Sequence, residues 1–165
     1  MKPATIALVG LGGNVGDAPT TLREALSALD RLPETRLLRA SPLYRTPAWG
    51  PVAQADFINA AARLETRLDA RALLDALLEV ERQFGRERHD GEARWGPRTL
   101  DLDLLLFGED MIDEPGLRVP HPHLHERAFA LVPLAAIAPE ASIPGHGTVR
   151  SALAGMAVDG IEALP

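Results

Sequence analysis

The chain contains no cysteine, which excludes disulfide bonds, thiolate zinc sites and a cysteine nucleophile. It also lacks a basic excess, because 17 lysine and arginine residues stand against 23 aspartate and glutamate residues. A protein that binds nucleic acid regardless of sequence usually has a basic surface, so we expect no nucleic-acid partner. No apolar run approaches the roughly 20 residues of a membrane span, and we find no charged-then-apolar leader. We therefore expect a cytoplasmic protein that does not contact a membrane.

Length sets the next limit. The 165 residues suffice for one domain with a sizeable core. We find no internal repeat and no composition shift typical of a linker. The sequence therefore predicts a single domain that spans residues 1–165.

The most informative stretch is the apolar segment 100–107, which contains Asp101 and Asp103. Its composition predicts a buried strand, where an unpaired carboxylate costs several kcal/mol. Residues two apart lie on the same face of a strand, about 7 Å from each other. Both carboxylates can therefore bind one divalent cation or a close pair of cations. Mg²⁺ typically takes one or two carboxylates together with phosphate oxygens and water.

Two arginines, Arg94 and Arg98, flank a Gly-Pro turn just before this strand. Their planar and permanently charged guanidinium groups suit phosphate binding. An Asp-x-Asp sequence alone is commonly structural, with its carboxylates capping a turn or paired with Arg98. Acids and arginines in one short window nevertheless suggest phosphoryl-type transfer from a nucleotide. The charged loop 86–94 has the pattern of a solvated surface loop, and we interpret it as a lid over phosphates.

Apolar periodicity predicts the other elements. The predicted strands are 4–11, 37–44 and 57–64, and the predicted helices are 19–32, 69–84, 127–137 and 148–156. The glycine-rich stretch 10–17 predicts a turn after the first strand, and it matches neither a P-loop nor a dinucleotide fingerprint. A tight turn and a ligand-facing loop both remain possible there. The segment 108–115 is predicted to be a turn-rich link.

Several single residues admit two interpretations. Phe57 and Asn59 share one face of their predicted strand, where they could stack on a flat heterocycle and read its edge. Alternatively, Phe57 lies in the core and Asn59 at the strand margin. Trp49, in a proline-rich loop, is either a lid contact or a packing residue. The three alternating histidines at 121–125 have no visible fourth zinc ligand, so we favour His121 as a hydrogen-bond donor to phosphate.

The sequence resembles the 6-hydroxymethyl-7,8-dihydropterin pyrophosphokinase family over essentially its whole length. The motif Arg-Trp-Gly-Pro-Arg-Thr-Leu-Asp-Leu-Asp at 94–103 is the most specific part of the resemblance. The segments 12–14, 44–47, 56–61 and 119–121 follow in the family's order. The resemblance implies an α+β fold, a ferredoxin-like antiparallel sheet flanked by helices on both faces. It also implies transfer of the β,γ-diphosphate of ATP to the pterin hydroxymethyl oxygen, with release of AMP, in folate biosynthesis.

The resemblance also implies roles for individual residues. Asp101 and Asp103 would hold two Mg²⁺ ions against ATP oxygens, while Arg86 and Arg98 would neutralise charge on the transferred group. The implied nucleotide contacts are Glu81, Arg88, Arg94, His121 and Arg127. The implied pterin pocket consists of Thr46, Pro47, Trp49, Phe57, Asn59, Trp95 and Phe129, with the ring between the two phenylalanines. We expect a monomer that acts on small molecules. The alternatives are a metal-dependent phosphohydrolase and a non-catalytic nucleotide- or pterin-binding module.

Overall fold

The structure, a computed structural model, describes residues 3–48, 54–85 and 99–165. The strands in these ranges are β1 (Thr5–Gly13), β2 (Thr35–Ala40), β3 (Tyr44–Thr46), β4 (Phe57–Thr66), β5 (Asp101–Phe107), β6 (Ile112–Glu114), β7 (Leu117–Val119), β8 (Ser142–Ile143), β9 (Gly147–Thr148) and β10 (Glu162–Ala163). The helices are α1 (Ala18–Leu29), α2 (Ala70–Gln83), α3 (Ala128–Ile137) and α4 (Val149–Ala154), with a 3₁₀ helix at Leu124–Glu126. No helix within the described ranges is long and apolar enough to cross a membrane.

In the described part of the chain, one antiparallel sheet organises the fold. Its strand order is β10-β3-β4-β1-β5. On the same side of β4, β3 pairs with the N-terminal half of the strand and β2 pairs with the C-terminal half. Strands and helices alternate as β1-α1-β2/β3-β4-α2-β5, with β4 and β1 at the centre of the sheet. This is the order of a ferredoxin-like βαββαβ unit in which the second strand is split. The predicted α+β fold with an antiparallel sheet is confirmed.

Helices cover both faces of this sheet. On one face, α1 and α2 pack on apolar side chains such as Val9 and Leu64. On the other face, α3 and α4 pack on Leu8, Ala61 and Leu105. Each fully buried leucine or valine contributes about 1.5–3 kcal/mol relative to an exposed one, so both faces stabilise the fold. The prediction of helices on both faces is therefore confirmed.

Aspartate side chains cap the first two helices at their N-terminal ends. Asp17 caps α1, and its hydrogen bonds from Thr20 lower the pKa of the Asp17 carboxyl below its usual value. Asp69 caps α2 as predicted, since its carboxylate accepts the Ala72 N–H at 2.8 Å. α1 ends at Leu29 rather than 32, and the carboxylate of the next residue, Asp30, accepts an N–H from the start of β2.

Three local predictions were wrong. The stretch 10–13 continues β1 instead of turning, and the first glycine with a left-handed backbone is Gly16, with φ +62°. The predicted strand 37–44 is two strands, because the Ser41 hydroxyl accepts the Ala61 N–H at 2.9 Å and breaks the regular ladder before Pro42. The predicted link 108–115 contains β6, which forms a hairpin with β7.

Candidate functional site

A row of backbone-paired residues crosses four strands near one end of the sheet. Gly12 of β1 lies between Asp101 of β5 and Asn59 of β4, and Asn59 in turn pairs with Tyr44 of β3. Directly opposed residues of an antiparallel sheet project from the same face. Neighbouring strands are about 4.8 Å apart, so roughly 10 Å separates the Cα atoms of Asp101 and Asn59 across the glycine.

Adjacent rows extend this arrangement along the strands. Gly10 lies between Asp103 and Ala61, and Phe57 pairs with Thr46. Ala61 belongs to the apolar cluster under α3 and α4, so the site and these helices share one face of the sheet. We call this region the acid–amide face; it comprises Asp101, Asp103, Gly10, Gly12, Thr46, Phe57 and Asn59.

The two aspartates lie on β5 as the alternation predicted. Asp103 is exposed and Asp101 partly exposed, while Leu102 and Leu104 are buried in the core on the opposite face. Within 3–48, 54–85 and 99–165, no group of three His, Asp or Glu side chains could hold a metal ion. A pair of carboxylates still fits Mg²⁺, which commonly completes its shell with phosphate oxygens and water. The donor set therefore fits a cation that binds together with nucleotide phosphates.

Glu81, near the end of α2, is held against the outer edge of β5. Its side chain is only 5% exposed, and its Oε2 accepts the Leu102 N–H at 2.7 Å. Leu102 lies between the two aspartates, so this bond fixes the backbone from which both carboxylates project. The structure thus places Glu81 where it supports the acid-bearing strand.

The absence of a side chain at Gly12 permits a close contact at the centre of the acid–amide face. A Cβ on Gly12 would lie 2.9 Å from Asn59 Nδ2, and a Cβ on Gly10 would lie 3.3 Å from Leu105 Cδ1. A heavy-atom separation of 2.9 Å is too short for a carbon next to an amide nitrogen. The missing side chain at Gly12 therefore lets the Asn59 amide lie over β1, between the acids and β3. The sequence analysis left a tight turn and a ligand-facing loop open for this stretch, and neither interpretation predicted the role of Gly12 within a strand.

Two buried polar atoms on the acid–amide face have no hydrogen-bond partner among the described residues. They are Thr46 Oγ1 and Asn59 Oδ1. An unsatisfied buried polar atom costs about 1–3 kcal/mol, so such atoms in a functional region are suited to a ligand's donors or acceptors. Phe57, opposite Thr46, adds an aromatic ring to the same surface. These groups match the recognition of a flat, polar-edged ring.

Asn14 supports this region, although the sequence analysis did not include it among the candidate site residues. It is 6% exposed, and its Nδ2 donates to Gln54 Oε1 at 2.7 Å and to the Ala55 carbonyl at 2.9 Å. These bonds join the residues after β1 to the chain that enters β4 just before Phe57. The only sequence signal was a short polar side chain directly after Gly12-Gly13, which does not reveal a partner 40 residues away.

His121 lies beside β5, where its backbone N–H donates to the Leu105 carbonyl at 3.0 Å. Burial, aided by the nearby Arg127, lowers the pKa of the His121 imidazole to about 4. The side chain is therefore neutral at pH 7. Its Nδ1 accepts the His123 N–H at 3.3 Å, so the ring proton is on Nε2 and available for donation. The role of His121 as a hydrogen-bond donor to phosphate stays a prediction.

The remaining described candidates are Arg127, Phe129 and Pro47. Arg127 is the N-cap residue of α3, and its guanidinium carbon is 5.7 Å from the centroid of the Phe129 ring. Pro47 directly follows β3. Trp49, Arg86, Arg88, Arg94, Trp95 and Arg98 lie outside the described residues, as does the proposed lid 86–94.

Comparison with known proteins places this geometry in context. A family model described as 7,8-dihydro-6-hydroxymethylpterin-pyrophosphokinase (HPPK) matches residues 8–139. A 2-amino-4-hydroxy-6-hydroxymethyldihydropteridine pyrophosphokinase from Pseudomonas aeruginosa is 48% identical over 157 residues, covering 95% of each chain. A protein of the same name from Methylorubrum extorquens is 44% identical over 158 residues, covering 96% of this chain and 98% of the relative.

Solved structures with a similar fold include wild-type Plasmodium falciparum HPPK-DHPS with pteroate. It superposes with a TM-score of 0.70 at 15% identity, over 93% of this chain and 42% of that chain. Another crystal structure of wild-type Plasmodium falciparum HPPK-DHPS gives a TM-score of 0.67 at 14% identity, over 91% of this chain and 40% of that chain. This chain therefore corresponds to less than half of those proteins, and the likeness concerns the fold alone.

Proposed function

Because the chain belongs to the 7,8-dihydro-6-hydroxymethylpterin pyrophosphokinase family, we propose that it transfers the β,γ-diphosphate of ATP to 6-hydroxymethyl-7,8-dihydropterin. The pterin hydroxymethyl oxygen forms a bond to the β-phosphorus, and the bond from that phosphorus to the α,β-bridging oxygen breaks. AMP departs with the bridging oxygen, and the hydroxyl proton is released. The products are the pterin diphosphate and AMP, and the reaction is a step in folate biosynthesis.

The observation that carries this proposal is the layout of the acid–amide face. Asp101 and Asp103 lie on one side of Gly10 and Gly12, and the unsatisfied Asn59 Oδ1 lies on the other. Carboxylates suit a metal–phosphate complex, whereas a buried amide suits the edge of a heterocycle. The site thus offers adjacent binding surfaces for the two substrates of a diphosphate transfer.

On the phosphate side, we assign Asp101 and Asp103 to holding Mg²⁺, with two ions expected. When bound, Mg²⁺ would offset the negative charge on the entering and leaving oxygens. Arg86 and Arg98 are proposed to neutralise the transferred group, so that positioning and electrostatics account for most of the acceleration. The nucleotide contacts are proposed to be Glu81, Arg88, Arg94, His121 and Arg127.

On the pterin side, Asn59 would read the ring edge through its unsatisfied Oδ1, and the Thr46 hydroxyl would add a second polar contact. Phe57 and Phe129 are proposed to sandwich the ring. Pro47, Trp49 and Trp95 would complete the pocket.

The test supplies ATP, MgCl₂ and hydroxymethyldihydropterin, and follows AMP and pterin diphosphate by chromatography and ³¹P NMR. We expect equimolar AMP and pterin diphosphate. We expect the Asp103→Asn variant to remain folded by circular dichroism while its turnover is lost. Asp110→Asn is the matched control, because Asp110 is an exposed aspartate in the turn after β5, and it should retain full activity. A folded Asp103→Asn enzyme with normal turnover would contradict the assignment.

The same assay separates the alternative functions. Release of AMP or phosphate without the pterin would indicate a phosphohydrolase. Calorimetric binding of both substrates without AMP release would indicate a binding module. A monomeric state and a cytoplasmic location stay predictions from the sequence, and light scattering of the purified protein tests the first of them.

A further inference from the structure

We propose that the segment after α4, residues 157–165, positions the end of β3 and thereby sets the affinity for the pterin. We call residues 157–165 the clamp segment. The proposal rests on the proposed function, in which Thr46 and Pro47 contact the pterin. It adds a positioning role for a part of the chain that touches none of the proposed catalytic residues in the contacts described below.

Backbone pairing attaches the clamp segment to β3. Within the segment, Glu162 pairs with Arg45 and Ala163 pairs with Tyr44. The Leu164 N–H continues the attachment by donating to the Leu43 carbonyl at 2.8 Å. These contacts cover the side of β3 opposite β4, so this three-residue strand is held from both sides.

A steric contact links the same segment to the residue after β3. Gly160 has a left-handed backbone, with φ +85°, and a Cβ built there would lie 3.3 Å from Pro47 Cγ. The pyrrolidine ring of proline is rigid and cannot rotate away as a flexible side chain would. The glycine therefore fits closely against Pro47, and a larger residue would displace Pro47 together with its chain neighbour Thr46.

The clamp segment lies beyond the residues that the family model matches. The family model ends at residue 139, so the pairing of β10 with β3 lies outside the matched region. Leu164 packs against the apolar cluster beneath the sheet and anchors the segment to the domain. A continuous series of contacts thus runs from the core through the clamp segment to β3, and it ends at the buried Thr46 hydroxyl.

The sharpest test compares two glycines with the same backbone strain. Gly160→Ala and Gly145→Ala both put alanine at a residue whose φ is near +85°, so the backbone strain is the same. A Cβ at residue 145, however, would have no neighbouring heavy atom within 4 Å. Steady-state kinetics are measured for each substrate. In Gly160→Ala we expect the KM for hydroxymethyldihydropterin to rise roughly three- to tenfold, because a small displacement of a binding group weakens its contact. The KM for ATP should stay the same, and Gly145→Ala should leave both KM values unchanged.

A chain that ends at residue 156 and so lacks the clamp segment provides the second variant, and fluorescence titration measures its pterin affinity. We expect a larger loss of affinity than in Gly160→Ala, with melting temperature recorded to show that the domain is folded. If the folded shortened chain binds pterin normally, or if both KM values rise together in Gly160→Ala, the positioning role is wrong. If the unmodified protein neither binds nor converts the pterin, the proposed function itself has failed. If the shortened chain does not fold, the comparison of Gly160→Ala with Gly145→Ala decides whether the positioning role is correct.

Discussion

Replacement of Gly12 by alanine gives the most direct test of the acid–amide face. The new Cβ would lie 2.9 Å from Asn59 Nδ2, so the amide must move by roughly 0.5 Å to reach an ordinary van der Waals separation. Such a shift moves Asn59 away from its productive orientation without touching the aspartates on β5. We therefore expect a selective loss of pterin binding.

The size of the effect follows from the hydrogen bonds that Asn59 would lose. An unsatisfied buried polar group costs about 1–3 kcal/mol, which corresponds to about a 5- to 150-fold weaker affinity. The backbone effect has the opposite sign, because alanine in a strand interior is favoured over glycine by roughly 0.5–1 kcal/mol. Gly12→Ala should thus bind pterin much more weakly while its free energy of unfolding falls little or even rises.

Calorimetric titration with pterin and, separately, with a non-hydrolysable ATP analogue and Mg²⁺ measures both affinities. Gly10→Ala is the matched control, because its Cβ would meet a flexible leucine side chain at 3.3 Å rather than the amide. We expect near-normal pterin binding in that control. Unchanged pterin affinity in Gly12→Ala, or an equal loss for both ligands, would refute the role given to Asn59.

Three further predictions concern stability, each followed by urea unfolding. Glu81→Ala leaves the buried Leu102 N–H without its acceptor and should lower the free energy of unfolding by about 1–3 kcal/mol, whereas Glu81→Gln should lower it less. Arg63 borders a cavity of about 490 Å³, and its buried Nε has no partner among the described residues. Arg63→Met should therefore leave the free energy of unfolding unchanged or raise it by up to about 2 kcal/mol, and a clear loss would contradict this. Folding lowers the pKa of His121 from 6.5 to about 4, so between pH 4 and pH 6.5 the unfolded chain binds more protons than the folded one. The free energy of unfolding that depends on His121 is therefore fully present above pH 6.5 and decreases as the pH falls towards 4. His121→Gln should show a flatter pH dependence in this window.

Sequence periodicity predicted the parts of the fold that depend on local pattern. The apolar strand with two carboxylates, the α2 helix with its Asp69 cap and the shared face of Phe57 and Asn59 follow from alternation, helical spacing and capping chemistry. These features depend on residues close in sequence, so they could be recognised without a structure. The roles of individual site residues stay predictions.

Other features depend on partners distant in sequence and could not be predicted. Gly10 and Gly12 suggested a turn because glycine is common there, yet both lie in a strand, and the missing side chain of Gly12 permits a close approach by Asn59 from another strand. The Ser41 hydroxyl interrupts a strand only because Ala61 lies beside it. The pairing of β10 with β3 joins residues about 120 positions apart, and nothing in the local pattern of Glu162–Ala163 indicates a strand.

One consequence concerns the free side of β5, which pairs with β1 alone within the described sheet. An open strand margin normally offers its amide and carbonyl groups to any extended peptide, which is a route to aggregation. Here the Glu81 carboxylate occupies the Leu102 N–H and the His121 N–H occupies the Leu105 carbonyl, so two of the positions an incoming strand needs are already taken. The strand that presents both acids is thereby protected from intermolecular strand addition at its margin while its ligand-facing side stays open.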